Sequence, residues 1–337
     1  MARIRQLACL SLAGALASAS LMVAMPAPVA VAVAQAPSDP PAITSTAPPW
    51  NMYSFRIRTL NGQARTYARS TPISKAWPPT EYHDSAGIPM RLIGGKLYYH
   101  PVGLALLGLK YVASYWVTKD RTYLVLAKRM AAGLEKISVT ARGAIWFPYR
   151  FRFAMHGNTR ETLIPPWYSA MAQGQALSLF TKLWLETRDP QYKALADRTY
   201  ASLRAFGRRS FPWVSWIDKS RYAWLEEYPA SLDYTLNGFI FAIYGLYDYY
   251  IATKDSTVWS TSRRDDVLAL LRGSLATVRH YLPEYRNPGG ASDYCLRHHK
   301  VSLKYHRIVT SQLRKLAAIT GHWYFESMVK KFVSDAS

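Results

Sequence analysis

Three stretches of the chain gather side chains able to move protons or hold an anion. Glu226-Glu227-Tyr228-Pro229 is followed by Leu236-Asn237-Gly238-Phe239. Asp293-Tyr294-Cys295-Leu296-Arg297-His298-His299 is followed by Tyr305-His306. Trp167-Tyr168-Ser169-Ala170-Met171-Ala172 runs on into Gln173-Gly174-Gln175-Ala176. A free glutamate titrates near ~4.3 and a phenol near ~10, so at neutral pH the first accepts a proton and the second holds one. Burial would lift the carboxyl toward the range where a general base works best. Adjacent Glu226 and Glu227 in an extended loop point to opposite sides, so one of them enters a pocket there. Arg297 offers a guanidinium that grips a carboxylate through two parallel hydrogen bonds. The chemistry on offer is proton transfer beside a bound anion. The chain has 24 tyrosines, and most must pack helices with a polar tip at the surface. His298, His299 and His306 have no acidic residue at ligand spacing, so neither a metal nor a cofactor is expected. Cys295 reads as a small buried residue.

The elements that must position these stretches repeat. Thr118-Lys119-Asp120 precedes Tyr123, Ala127 and Arg129, and Thr187-Arg188-Asp189 precedes Tyr192, Ala196 and Arg198 at the same offsets, 69 residues on. Thr253-Lys254-Asp255 follows 66 residues later and the weaker Thr320-Gly321-His322 a further 67. Before these marks lie 103–117, 173–186, 238–252 and 305–319, and after them 121–137, 190–206, 264–281 and 322–334. Apolar residues in these runs recur at the helical period, as in Leu104, Leu107, Tyr111 and Tyr115. Asp120 and Asp189 are expected as N-caps, with Pro190 at N1. The result is an all-α chain of about four αα-hairpins, stacked into an α/α toroid or a solenoid. The long connections, 138–167, 207–237 and 282–304, must emerge on one rim, where sites usually sit. Residues 143–153 alternate like a hairpin or strand. Residues 51–100 carry short β-like pieces and form a small β-containing N-terminal extension to the helical part, 101–337.

The chain of 337 residues is half hydrophobic, enough for a real core, and carries 42 Lys+Arg against 21 Asp+Glu. The resulting charge of +21 calls for a polyanionic partner. Arg3 and Arg5 precede an uncharged, Ala-rich run, and small residues crowd Ala32, Ala34 and Ala36. Residues 1–36 are therefore expected to be an export signal, and 37–50 a Pro-rich tether. Cleavage would leave +19 and Cys295 as the one cysteine, hence no internal disulfide. A secreted or cell-envelope location follows, with no stable membrane span after cleavage and an anchored protein without it. Export turns the polyanion from nucleic acid toward an acidic glycan.

In order and approximate spacing, WYSAMAQGQA, EEYP, LNGF, YxLRH and the final YH resemble the C-terminal helical domain of the D-glucuronyl C5-epimerases, over about 160–335. The resemblance implies an α/α toroid and a glucuronate-containing acidic polysaccharide as partner, and it leaves the oligomeric state open. It implies removal of the proton at C5 of a uronate and its return on the opposite face, which needs two acid/base groups and a neutralising charge. Glu227, Tyr228, Tyr294 and Tyr305 carry over as the catalytic set, with Glu227 serving one face and Tyr305 the other. Arg297 would hold the uronate carboxylate. Asn237, Gln173 and His306 would contact hydroxyls or the carboxylate, and Trp167 would stack on a sugar face. Gln173 and Gly174 open a helix, so close packing is the competing role.

The chain departs from the family at Cys295, where Asp is usual, and around Tyr305, where SLKYHRIV replaces a Trp- and His-rich stretch. Two other functions use the same residues. A uronate lyase shares the proton abstraction and then expels the 4-linked sugar; a non-catalytic envelope protein would bind the glycan alone.

Overall fold

The computed structural model describes residues 47–76, 82–207, 211–254 and 256–336. The expected export signal, most of the tether and Asp255 lie outside them. Four helical hairpins make up the body: α1 (Pro101–Thr118) with α2 (Thr122–Ile137), α3 (Ala170–Thr187) with α4 (Pro190–Arg204), α5 (Leu236–Lys254) with α6 (Thr261–Tyr281), and α7 (Leu303–Thr320) with α8 (Trp323–Asp335). The first helices of successive hairpins pack on one another in the order α1, α3, α5, α7, so they form the inner layer of an incomplete α/α toroid. No helix among the described residues is long and apolar enough to cross a membrane.

One device ends the inner helices. Lys119, Arg188 and Gly321 adopt left-handed backbone conformations after α1, α3 and α7. The threonine before each donates its hydroxyl to the carbonyl four residues back and accepts the N–H two residues on. Asp189 caps α4 by accepting from the Gln191 N–H, with Pro190 at N1, a contact worth about 1 kcal/mol. Asp120 sits one residue earlier than expected: Arg121 holds the N-cap position of α2, although the Asp120 carboxylate still accepts from the Thr122 N–H.

Because α3 and α5 have neighbours on both sides, they are buried almost all round rather than along one stripe. They meet through small residues. A Cβ on Gly174 would stand 2.4 Å from the Ala242 Cα, and one on Gly245 would stand 2.3 Å from the Gly174 carbonyl oxygen.

Short antiparallel pairs decorate this body. In chain order they are β1 (Tyr82–His83), β2 (Pro89–Ile93) and β3 (Lys96–Tyr98) in one sheet, the hairpin of β4 (Val139–Ala141) and β5 (Ala144–Trp146), the pair β6 (Phe153–Ala154) and β7 (Thr162–Leu163), and the hairpin of β8 (Ser215–Ile217) and β9 (Ala223–Leu225). The hairpin expected over 143–153 thus lies at 139–146, and Tyr149 bridges instead to Trp167.

Residues 50–73 are mostly not β but a strap across the helices. The Trp50 indole donates to the Ala269 carbonyl of α6, and the Arg58 N–H donates to the Ile319 carbonyl of α7. The Leu60 N–H is received by the Tyr247 hydroxyl of α5, and the Ile73 N–H by the Ser114 hydroxyl of α1. The strap therefore ties the last hairpins to the first. Where it passes α3 and α5, Lys182 Nζ is buried 2.8 Å from Asp248 Oδ2, and both touch the Thr66 hydroxyl.

Candidate active site

The three long connections converge on one rim. The segment 226–236 and the loop 286–302 close on one another through the Thr235–Cys295 bridge and the Leu236 N–H bond to the Tyr294 carbonyl, and the turn after β6 (Met155–Gly157) joins them through His156 and Asp233. Between them is a cavity of about 350 Å³ lined by Phe153 to Gly157, Tyr228, Tyr294, Lys300, Ser302 and Tyr305. A cavity of similar size beside α1 is lined by Arg91, His100, Lys110 and mostly apolar neighbours. Neither lining contains a carboxylate, and the rim cavity is the one walled by the expected tyrosines.

Of the expected catalytic set, Tyr228, Tyr294 and Tyr305 stand on the cavity wall. The Tyr228 and Tyr294 hydroxyls are 3.4 Å apart, and the Tyr294 and Tyr305 ring centroids 4.4 Å. Phe153 stacks on Tyr228 at 5.7 Å. Glu227 lies in the layer behind these rings, 8% exposed. Its carboxyl rests against the first turn of α5, where Gly238 leaves room. Burial pushes that carboxyl up to about 7, with the nearby Tyr228 and Tyr294 hydroxyls pulling it down and the Asp233 charge adding to the rise. Glu227 Oε2, the oxygen nearest Gly238, has no hydrogen-bond partner. Burial, and then the Glu227 charge, raise the phenols of Tyr228, Tyr294 and Tyr305 above the usual range, so all three hold their protons at neutral pH.

Glu226 turns the other way. It accepts from the Trp216 indole at 3.2 Å and from the Tyr234 N–H at 3.3 Å, and burial pushes it up to about 8.

The structure takes the five expected substrate contacts away from the cavity. Arg297 donates to the Ser231 carbonyl and pairs with Glu161 at 3.4 Å, so its guanidinium is engaged in joining loops. Lys300 supplies the cation on the wall. Gln173 is fully buried: its Oε1 accepts from the Phe147 N–H, and its Nε2 donates to the Ile145 carbonyl and the Ser202 hydroxyl. Close packing is therefore the role of Gln173 and Gly174. Trp167 stacks on Tyr149 at 3.8 Å and donates to the Phe151 carbonyl, which leaves its face covered. His306 is buried against Phe332 and accepts from the Ser292 N–H. Asn237 is buried on the first turn of α5 with Oδ1 unpaired, off the cavity wall.

Sequence reasoning missed Lys300, Ser302 and His156 on the wall. It also missed a set of potential metal ligands, contrary to the expectation of none: His156, Asp233, Cys295 and His298 bring one donor atom each to within 4.8 Å of one another. Burial works against the Asp233 carboxylate, but hydrogen bonds from Thr235, His156 and His298 win and hold it below its usual range. The local spacing Cys295-x-x-His298 was the one signal in the sequence; the other two members come from separate loops.

Comparison with known proteins agrees with the motifs. The family model described as D-glucuronyl C5-epimerase C-terminus matches residues 142–334. A D-glucuronyl C5-epimerase of Caenorhabditis elegans is 30% identical over 146 residues, which is 41% of this chain and 23% of that protein's length. Among solved structures, a GH76 α-mannanase of Bacteroides thetaiotaomicron is 16% identical over 73% of this chain and 57% of its own, with a TM-score of 0.45. The cellobiose 2-epimerase of Bacillus thermoamylovorans is 13% identical over 69% of this chain and 58% of its own, with a TM-score of 0.46. With its family match covering more than half of its length, the chain belongs to the D-glucuronyl C5-epimerase C-terminus family.

Proposed function

We propose that this chain is an exported uronyl C5-epimerase that converts D-glucuronate residues of an acidic polysaccharide to L-iduronate. The observation that carries the reading is the carboxyl of Glu227, raised to about 7, directly behind the Tyr228 and Tyr294 phenols on a cavity wall shared with Tyr305. In this mechanism the oxygen of one of the paired phenols takes the C5 proton while its own proton passes to Glu227. Lys300 offsets the charge that spreads onto the uronate carboxylate. Tyr305 then supplies a proton from the other side of the ring, and between turnovers Glu227 releases its proton to solvent while the Tyr305 phenolate regains one. Losing one acid/base group costs about 10²–10⁴ in rate. The net charge of +21 and the apolar run after Arg5 support export and a polyanionic substrate.

The test is incubation of the protein with a glucuronate-containing glycan in D₂O, following the C5–H signal by NMR. Loss of the signal with new iduronate resonances is the expected result. Loss with absorbance from an unsaturated uronate would make the protein a lyase. No exchange on any glucuronate-containing glycan would overturn the reading.

A further inference from the structure

At the cavity wall, four side chains of three chemistries meet. Asp233 Oδ1 is 2.5 Å from His298 Nδ1 and 3.1 Å from His156 Nε2, and Cys295 Sγ is 3.6 Å from the same His156 nitrogen. Around a four-coordinate Zn²⁺, with bonds of about 2.0–2.3 Å, neighbouring donor atoms stand roughly 3.3–3.8 Å apart. Three of the separations lie within or below this range and no pair of donors exceeds 4.8 Å, so side-chain shifts would let the four admit the ion. We propose that His156, Asp233, Cys295 and His298 form a structural Zn²⁺ site that fastens together the three rim loops enclosing the cavity.

The donor set favours this ion. One thiolate, two imidazoles and one carboxylate suit Zn²⁺ and fall outside the all-oxygen preference of Ca²⁺ and Mg²⁺. The charges also balance. Cys295 releases its proton to solvent on binding, and its thiolate with the Asp233 carboxylate offsets the two positive charges. The imidazoles bind as neutral rings. His298 keeps its remaining N–H on Nε2, where Glu161 Oε2 lies 2.7 Å away to receive it. That leaves Nδ1 free for the metal, in the carboxylate–histidine arrangement usual around zinc. The Thr235 hydroxyl donates to Asp233 Oδ2 at 2.6 Å, which turns Oδ1 inward. His156 is brought to its place by a left-handed backbone conformation (φ 50°), one that non-glycine residues seldom adopt. With four protein donors and Asp233 and Cys295 fully buried, the site has no open position for substrate. Its effect on the cavity is one of position: Cys295 adjoins Tyr294, and His156 is both ligand and wall.

The test does not depend on the reaction. The full protein, stripped with a chelator, is titrated with Co²⁺ and separately dialysed against Zn²⁺ and analysed for bound metal. The expected result is about one ion per chain and the intense visible bands of tetrahedral thiolate-bound Co²⁺. Cys295→Ala should abolish the bands. Glu161→Gln keeps all four ligands and should weaken Zn²⁺ affinity about 10–100-fold. If Cys295→Ala does not fold, the wild-type Co²⁺ spectrum and the Glu161→Gln affinity still decide. A wild-type protein that binds no Co²⁺ or Zn²⁺, or Zn²⁺ binding untouched by both substitutions, would overturn the proposal.

Discussion

Gly238 and the Glu227 carboxylate occupy one space: a Cβ on the glycine would stand 2.1 Å from Glu227 Oε2 and 2.7 Å from its Cδ. The first turn of α5 can approach the acid because residue 238 has no side chain. Gly238→Ala should therefore drive the carboxyl out of line with the phenols. The expected outcome is a fall in C5 exchange rate of about 10² or more, with helical content retained and a stability loss of about 1–3 kcal/mol. Exchange kinetics and thermal unfolding of the variant measure both.

Glu227 sets a pH dependence. Its carboxyl, raised to about 7 by burial, accepts a proton only when ionised, so exchange should rise with pH through about 7. Glu227→Gln should remove that limb and cost about 10²–10⁴ in rate. A pH–rate profile that keeps the limb in the variant would assign it to another group.

Stability should run the other way. Glu226 and Glu227 are raised in the folded state to about 8 and about 7, so the folded protein binds more protons than the unfolded chain above about pH 4.3. The stability linked to these groups is fully present below that pH and is lost as pH rises through 7 and 8. Urea midpoints measured from pH 5 to pH 9 should fall accordingly, less steeply in Glu226→Gln.

The two loop cations should separate by phenotype. Lys300→Ala removes the cation on the cavity wall and should raise KM for the uronan about tenfold or more, with little change in melting temperature. Arg297→Ala breaks the tie to Ser231 and Glu161, so its main effect should be on thermal stability.

Beneath the strap, Asp248→Asn would leave Lys182 buried without its counter-charge. The expected loss is about 3–5 kcal/mol, and replacing both residues by apolar ones should restore part of it. Urea unfolding of the single and double variants checks this.

The helices were legible because burial imposes a period of 3.6 on their sequences and because Thr118, Thr187 and Thr320 repeat one hydrogen-bonded ending. Tyr228, Tyr294 and Tyr305 were legible through motif order. The rest of the wall was not. Lys300 and His156 sit in loops whose course depends on contacts across separate connections, and no local spacing announces them. Gln173 and Trp167 look like sugar-binding residues by type, yet their partners are backbone groups far along the chain. Arg297 has the right chemistry, but Ser231 and Glu161 claim it first. Asp120 shows the limit of cap rules: after the corresponding tripeptide, α2 starts one residue later than α4 does after Asp189.

The strap has a consequence for how the molecule assembles. Its bonds join residues separated by 187 positions at Leu60 and Tyr247 and by 219 at Trp50 and Ala269. Each hairpin can form from neighbours, but the seam between the first and last hairpins is sewn by a segment synthesised before any of them. Its end at Ile73 can dock on α1 early, but residues 50–60 make their tertiary hydrogen bonds with residues 220–322, so closure of the ring is a late and slow event. A chain arrested before α7 would leave Phe55 without His322 and Phe325, the rings it packs on, and would be a natural client for chaperones and proteases.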